Sequence, residues 1–206
     1  PGVAVKVAAD GEILVKGPNV MLGYYRDRKL TRESIRRGWF HTGDFGALRG
    51  YGLVLECRKD GMFKLTNGER VVSQVVENAL AASPLIQYAV AVGSGKDFVA
   101  ALIFPNLRAL GKAARRRGYR TNGGNLLGDG RIRSIISAEV AKFSQCIGEK
   151  YARPKALILS SREPSLANGE LTPTMKVVRS KVAEDYARDI EAVFCPDKFA
   201  RAVIRL

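Results

Sequence analysis

The chain has 206 residues, of which 46% are hydrophobic and 26% are charged, so it is long and apolar enough to bury a core, which argues against disorder. No apolar run approaches the roughly 18 residues that a membrane-spanning helix needs, and the first residues lack the pattern of a secretory signal. The net charge of +14 is compatible with a solvated basic surface, or with attraction to nucleotides, anionic lipid or nucleic acid.

The cysteine and histidine content narrows the possible chemistry. Cys57, Cys146 and Cys195 lie far apart without CxxC spacing, which fits reduced thiols in a cytosol better than a disulfide framework. His41 is the only imidazole, so the sequence offers neither a metal cluster nor paired histidines. We therefore expect a cytoplasmic protein, with peripheral membrane contact as a second expectation from its charge. Because the first residues lack an initiator Met and are already strand-like, we also expect a piece of a longer protein.

The first part of the chain is predicted to be mostly β. Val3, Val5 and Val7 alternate before Asp10-Gly11, which is typical of the first strand of a hairpin. The predicted elements, in chain order, are a hairpin over residues 1–17, a short helix from Thr31 to Arg37 with Thr31 as its N-cap, and strands over residues 39–47 and 53–57.

Beyond residue 60 the pattern changes to strands interspersed with helices. The predicted strands cover residues 62–65, 86–92, 98–104 and 156–159. Four helices are predicted. The first starts at Ser73 as its N-cap, and the second runs from Pro105-Asn106 to about Arg117. The third covers residues 132–147, and the fourth covers residues 182–193 before Pro196. This order predicts a compact α+β domain in which helices cover a small sheet.

Charged residues and glycines gather at two predicted strand ends. Residues 42–44 are Thr-Gly-Asp, and residues 58–61 are Arg-Lys-Asp-Gly. An aspartate near a ribose can accept two hydroxyl protons and an arginine supplies a planar set of donors, so Asp44 and Arg58 are candidate nucleotide ligands. The alternatives are a turn aspartate that bonds nearby amides and an arginine in a surface salt bridge.

Lys176 is the candidate catalytic residue. It ends the run Leu-Thr-Pro-Thr-Met-Lys at residues 171–176, which Pro173 prevents from forming regular helix. A lysine on such a loop can deliver a compact positive charge to a reacting centre. The alternative is an ordinary solvated lysine.

Taken together, the runs at residues 42–44, 58–60 and 171–176 resemble those of the adenylate-forming superfamily of acyl- and aryl-CoA synthetases, luciferases and peptide-synthetase adenylation domains. The last run is similar to the variant of long-chain acyl-CoA synthetases, in which Met replaces the Gly that commonly precedes the lysine. The resemblance covers nearly the whole chain but only about the last third of such an enzyme. It implies that residues 1–59 are the β-subdomain that ends the large N-terminal domain, and that residues 60–206 are a mobile α+β C-terminal domain.

The resemblance also implies roles for the candidate residues in making an acyl-adenylate. Lys176 matches the catalytic lysine that bridges the acyl carboxylate and the α-phosphate of ATP. Asp44 matches the acid that binds the ribose hydroxyls of ATP or AMP, and Arg58 matches the arginine that also reaches the ribose.

Three further matches concern the thioester-forming step. Asp60 matches the hinge residue about which the C-terminal domain of the family rotates between two orientations, and Gly61 replaces an acid that is usual at the next position. Lys64 and Gly68 match positions that face the active site in the thioester-forming orientation. A lysine on the solvent face of a strand is the alternative for Lys64.

The implied activity converts fatty acid, ATP and CoA into acyl-CoA, AMP and pyrophosphate. ATP, CoA and Mg²⁺ would be bound mainly by an N-terminal part that this sequence lacks, including a Ser/Thr/Gly-rich phosphate loop, so we expect the 206 residues alone to be inactive. Two alternatives stay open: an acyl-AMP ligase that loads a carrier protein, and a non-catalytic binding module whose charge serves a membrane surface or an acidic partner. Nucleic acid is not expected as a partner, and the oligomeric state is left open.

Overall fold

The computed structural model describes residues 2–119, 126–195 and 203–206, leaving aside the side chains of residues 60, 203 and 205. The chain divides into two compact units, Pro1–Met62 and Phe63–Leu206. Both sheets and helices are present, so the predicted α+β class is confirmed. The domain boundary predicted between residues 59 and 60 marks the expected hinge between two domains. This hinge stays a prediction.

The first unit is built around its longest strand, β4, which spans Trp39–Arg49. The hairpin of β1 (Ala4–Val7) and β2 (Glu12–Lys16) lies on one side of it, because β2 pairs with β4. The short strand β3 (Ile35–Arg36) and the strand β5 (Gly52–Arg58) also pair with β4, and all these pairings are antiparallel. The predicted hairpin and the two predicted strands after it are therefore confirmed.

The helix of the first unit begins earlier than predicted. Helix α1 spans Arg28–Ser34, and its N-cap is Asp27, whose Oδ1 accepts a hydrogen bond from the amide of Leu30 at 2.8 Å. Thr31 lies inside the helix, where its hydroxyl donates to the carbonyl of Asp27 at 2.7 Å and accepts from the amide of Tyr24 at 2.9 Å. The predicted cap at Thr31 is wrong because a better-placed acceptor, Asp27, precedes it.

The second unit contains a four-stranded sheet in the order β11-β10-β9-β8. The pair β9–β10 is parallel, and the other two pairs are antiparallel. Its strands are β8 (Ile86–Val92), β9 (Ala100–Pro105), β10 (Ala156–Leu159) and β11 (Val203–Arg205), and a separate two-stranded ribbon is formed by β6 (Met62–Lys64) and β7 (Arg70–Val72). The sequence pattern predicted neither β7 nor β11.

Helices cover both faces of this sheet. The helices are α2 (Ser73–Ala81), α3 (Leu107–Arg116), α4 (Gly130–Ser144), α5 (Arg179–Asp185) and α6 (Ala187–Phe194). Buried side chains of α2, α3 and α4 pack on one face, and those of α5 and α6 pack on the other. Every residue of β9 is buried, which explains its unbroken apolar sequence.

Two predicted helix features of this unit are wrong. Ser73 is the first residue of α2 and is buried, while the N-cap position is held by Val72 without a side-chain hydrogen bond. The predicted single helix over residues 182–193 is broken at Tyr186, whose hydroxyl lies 2.7 Å from that of Ser160. By contrast, Asn106 caps α3, as its position after Pro105 suggested. Pro196, the predicted helix stop, lies outside the described residues.

No helix among the described residues combines the length and the apolar character needed to cross a bilayer.

Candidate functional site

Asp44 and Arg58 face each other across strands β4 and β5. They are register partners in the antiparallel pair, and Arg58 Nη1 lies 3.3 Å from Asp44 Oδ1. Their side chains are 28% and 68% exposed, respectively, so solvent reaches both charged groups. An exposed pair of this kind contributes little to stability, and its acceptor and donors remain accessible to a polar ligand.

The segment before Asp44 lies inside β4 and is held by hydrogen bonds with residues of strand β2. Gly43 has a φ of +70°, a conformation that glycine adopts without strain. The hydroxyl of Thr42 donates to the carbonyl of Ile13 at 2.8 Å and accepts from the amide of Asp44 at 3.0 Å. The predicted strand end at residues 42–44 is wrong, because β4 continues through Asp44 to Arg49. Thr42 and Gly43 instead hold Asp44 at the point where the pairing of β2 with β4 is irregular.

Glu12 is a supporting residue of this part of β4 that the sequence analysis missed. Its carboxylate is buried and accepts a hydrogen bond from the amide of Gly43 at 3.0 Å, while its other oxygen lies 2.9 Å from His41 Nδ1. The available signal was an acidic residue at the head of the strongly apolar run 13–15. A carboxylate at such a position needs partners, because an unpaired buried charge is costly.

Asp60 lies in a 3₁₀ turn, Lys59–Gly61, directly after β5. The turn separates β5 of the first unit from β6, which leads into the second unit. Because this connection is short, only a few residues can change the direction of the chain between the two units.

Lys64 is the last residue of β6, and Gly68 lies on the loop that follows this strand. Lys64 is exposed, and Gly68 closes the turn by donating from its amide to the carbonyl of Leu65 at 3.0 Å. The loop is supported by the β8–β9 turn at residues 93–97: the Lys64 carbonyl accepts from the amide of Gly95 at 2.8 Å, and the Thr66 hydroxyl donates to Asp97 at 2.7 Å.

Lys176 ends a tight turn at residues 172–176, which we call the lysine hairpin. Its carbonyl accepts from the amide of Thr172 at 2.8 Å, and its own amide donates to the Thr172 hydroxyl at 3.1 Å. The amide of Met175 also donates to the Thr172 carbonyl at 2.8 Å. The backbone of the hairpin is thus fixed while the Lys176 side chain is exposed.

Two ion pairs flank the lysine hairpin. Before it, Glu170 is fully buried and pairs with Arg162 at 2.6 and 3.2 Å. After it, Arg179 pairs with Glu77 of helix α2. Burial alone would lower the pKa of Arg162, but Tyr186 and Glu170 raise it overall, so the guanidinium stays charged. These pairs depend on tertiary contacts, and their only signal in the sequence is closeness to Lys176.

A cavity of about 390 Å³ opens beside the lysine hairpin in the second unit. Its lining contains more polar than apolar residues and comes from helix α2, strand β8, the lysine hairpin and the segment after the hairpin. Residues of this lining include Gln74, Glu77, Gln87, Tyr88, Lys176 and Arg179. Lys176 is therefore the exposed cation at the rim of a polar cavity, next to an ion pair in its wall.

The predicted site residues form three local groups. Asp44 and Arg58 are in contact within the first unit, Lys64 and Gly68 lie at the end of β6 and on the loop after it in the second unit, and Lys176 lies on a different segment of that unit. Among the described residues, no cluster of His, Cys, Asp and Glu could hold a metal ion.

Comparison with known proteins gives matches along most of the chain. Residues 60–118 match the family model of the AMP-binding enzyme C-terminal domain. The chain is 38% identical over 198 residues to long-chain-fatty-acid–CoA ligase FadD15 of Mycobacterium tuberculosis, covering 94% of this chain and 33% of that protein. It is 32% identical over 189 residues to human long-chain-fatty-acid–CoA ligase 6, covering 90% of this chain and 27% of that protein. The chain thus spans about a third of the length of these curated relatives.

Solved structures share the fold. The A domain of carboxylic acid reductase from Segniliparus rugosus, in complex with AMP and a co-purified carboxylic acid, matches with a TM-score of 0.76 and 23% identity, covering 94% of this chain and 31% of that one. The o-succinylbenzoate CoA synthetase of Bacillus subtilis, in complex with its acyl-adenylate intermediate, matches with a TM-score of 0.58 and 21% identity, covering 88% of this chain and 34% of that one.

Proposed function

Because this chain belongs to the adenylate-forming superfamily and corresponds to the C-terminal portion of its long-chain fatty-acid–CoA ligases, we propose that it works as the last third of such a ligase. In the first half-reaction, a fatty-acid carboxylate attacks the α-phosphate of ATP, which gives acyl-AMP and releases pyrophosphate. In the second, the thiol of CoA attacks the acyl carbon, which gives the thioester and releases AMP.

Asp44 and Arg58 are the proposed ribose-binding residues for ATP and AMP. The exposed carboxylate of Asp44 can accept hydrogen bonds from both ribose hydroxyls, and the neighbouring guanidinium can donate to the same sugar. The fixed backbone of residues 42–44 within β4 supports this role, since it holds the acceptor in one place before the nucleotide arrives.

Lys176 is the proposed catalytic residue of the adenylation step. Negative charge is present on the attacking carboxylate and on the phosphate groups, and a placed cation lowers the barrier by offsetting it. The observation that carries the proposal is the lysine hairpin itself: its backbone is fixed by three hydrogen bonds while the ammonium group is free to reach outward.

The second half-reaction uses a different surface of the second unit. We assign Asp60 as the hinge about which this unit turns, and Lys64 and Gly68 as residues that face the reaction centre during thioester formation. Their position on residues 60–68, a segment separate from the lysine hairpin, supports two successive orientations. Mg²⁺ would accompany ATP, as it does in a solved complex of the Bacillus synthetase, and we derive no step from it.

The test compares wild type with Lys176→Ala in the full-length ligase that contains this chain. We expect pyrophosphate exchange with fatty acid to fall by about 100-fold or more, because the transition state loses a placed charge. Thioester formation from supplied acyl-AMP and CoA should stay close to the wild-type rate.

Equal activity of both proteins in the exchange reaction would contradict the catalytic role of Lys176 and favour the binding-module alternative. The second half-reaction also separates the two possible acceptors. If a carrier-protein pantetheine replaces CoA with higher efficiency, the chain belongs to a carrier-loading ligase instead.

A further inference from the structure

The segment that follows the lysine hairpin contacts helix α2 through Arg179. Arg179 is the first residue of α5, three residues beyond Lys176, and its Nε donates to Glu77 Oε1 at 3.1 Å. Its Nη2 donates to the other oxygen of the same carboxylate, so the contact is bidentate. A planar guanidinium and a carboxylate joined in this way fix both distance and direction.

Glu77 is also held in place by strand β8 of the central sheet. Its side chain is 11% exposed, and its Oε1 also accepts a hydrogen bond from the backbone amide of Ala91 in strand β8 at 3.1 Å. The carboxylate therefore connects the central sheet, helix α2 and the start of α5. A buried carboxylate with this many donors has one strongly preferred position.

The position of Arg179 is not explained by the stability of its own helix. A positive charge in the first turn of a helix opposes the helix dipole, and the first turn of α5 contains no acidic residue. The arginine is therefore at an unfavourable end of α5 and in a favourable contact with Glu77. We therefore attribute the presence of arginine at position 179 to its contact with Glu77 rather than to the stability of α5.

The same pair lies in the wall of the cavity beside Lys176. Glu77, Arg179 and Lys176 all line the space of about 390 Å³ between helix α2, strand β8 and the lysine hairpin. A change in the pair would thus alter the direction in which the hairpin leaves the body of the unit, without removing any group that the reaction uses.

We propose that Glu77 and Arg179 are positioning residues that hold the lysine hairpin so that Lys176 reaches the adenylation transition state; this rests on the proposed role of Lys176. The pair acts after the hairpin, and the pair of buried Glu170 with Arg162 acts before it, where the Glu170 carbonyl also accepts from the amide of Val178 at 2.8 Å. Both ends of the segment that contains Lys176 are then anchored to carboxylates of low exposure.

The test measures both half-reactions of the full-length ligase for Glu77→Gln, Arg179→Lys and Arg179→Ala, beside Lys176→Ala. Displacement of a catalytic group by about 1 Å can cost up to about 100-fold in rate, so we expect kcat of adenylation to fall by about 10-fold or more. KM for ATP and for fatty acid should stay within about twofold, since neither residue is placed in the binding of those substrates. Thioester formation from acyl-AMP and CoA should also stay within about twofold.

The double variant Lys176→Ala/Glu77→Gln separates positioning from a general structural role. If Glu77 acts through Lys176, the double variant is no slower in adenylation than Lys176→Ala alone. If the losses multiply, or if both half-reactions fall together, the proposal is wrong. Arg179→Lys keeps the charge at a partly exposed position, so it decides the question even if Glu77→Gln does not fold.

A matched control variant tests for nonspecific effects, and the results distinguish a failure of the positioning proposal from a failure of the proposed function. Arg131→Ala removes another ion-paired arginine of the second unit, the partner of Asp129 at the start of α4, and should leave both half-reactions unchanged. If Lys176→Ala abolishes adenylation while the Glu77 and Arg179 variants are normal, the positioning proposal fails and the proposed function stands. If Lys176→Ala has no effect, the proposed function fails first.

Discussion

Met175 has the most unusual backbone conformation near the proposed catalytic residue. Its φ of +60° lies in the left-handed region, which is strained for a residue with a side chain, and its side chain is 53% exposed. This explains physically why related motifs commonly have Gly before the lysine, and it shows that Met can occupy the same turn. The conformation is imposed by the hydrogen bonds of Thr172 with Met175 and Lys176.

Replacing Met175 by Gly should therefore stabilise the second unit. The left-handed conformation costs an ordinary residue about 1–2 kcal/mol, and glycine loses about 0.5–1 kcal/mol of that gain through the entropy of the unfolded chain. We expect a net gain of about 0.5 kcal/mol in the free energy of unfolding, measured by urea denaturation followed by far-UV circular dichroism.

Met175→Val is the matched comparison, because a β-branched residue is strongly disfavoured at positive φ. It should destabilise the unit relative to wild type. Equal stability of the Gly and Val variants would show that the turn does not persist in solution.

Glu12 offers a second test at a single residue. Glu12→Ala leaves the amide of Gly43 without its acceptor, which should cost about 1–3 kcal/mol of stability, whereas Glu12→Gln keeps an oxygen for that amide and should cost less. Trp39 is the only tryptophan and lies in β4 of the same unit, so its fluorescence during urea denaturation reports this unit specifically. Identical losses for the two variants would rule out the Gly43 bond as the main contribution.

At the scale of elements, Tyr151 links the turn before β10 to strand β7. It packs against the core of the second unit, and its hydroxyl donates to the carbonyl of Arg70 at 3.3 Å. Burial raises the pKa of the Tyr151 phenol above its ordinary value of 10.0, and the negative charges of Glu149 and Glu69 raise it further. The neutral phenol is thus the form that the folded protein favours.

This shift predicts a stability that depends on alkaline pH. Because the folded pKa is above the unfolded value, the contribution of Tyr151 is complete below about pH 10 and is lost as pH rises through the folded pKa. Tyr151→Phe should cost about 1 kcal/mol near neutral pH, and its difference from wild type should shrink at higher pH. Urea denaturation of both proteins on either side of pH 10 measures it, and a constant difference would contradict the assigned cause.

The elements that could be predicted are those fixed by local pattern. Strand β9 is predicted by its unbroken apolar run, and helix α3 by Asn106 after Pro105. The errors arise where tertiary contacts override local preference: packing buries Ser73 inside α2, and the break at Tyr186 accompanies a bond to Ser160, which is remote in sequence.

The candidate site divides in the same way. The motifs identified Asp44, Arg58 and Lys176, since residue type and spacing are visible in the sequence, and their roles stay predictions. The supporting partners Glu12 and Arg179 could not be deduced, because each acts through a residue that only strand register or helix packing brings near. Supporting contacts are a property of the fold rather than of any motif.

At the scale of the whole molecule, the chain combines a proposed ribose site and a proposed catalytic lysine but spans only a third of the length of its relatives. Its sequence contains no Ser/Thr/Gly-rich phosphate loop of the kind that the superfamily uses. We therefore expect the purified 206 residues to release neither pyrophosphate nor AMP from ATP, fatty acid and CoA, under conditions in which the full-length ligase turns over. Turnover by the chain alone would contradict the proposed division of labour.

The parallel pairing of β9 with β10 has a consequence for the order in which the protein is built. Ala100 pairs with Ala156, so the loop that contains α3 and α4 must close before this pairing forms, whereas the β1–β2 hairpin closes over residues 8–11. During synthesis, β8 and β9 leave the ribosome before β10, which pairs with the other edge of β9, has been made. We expect the first unit to fold early on the nascent chain. One edge of β9 stays unpaired until β10 has been made, and a chaperone can bind that edge in the interval.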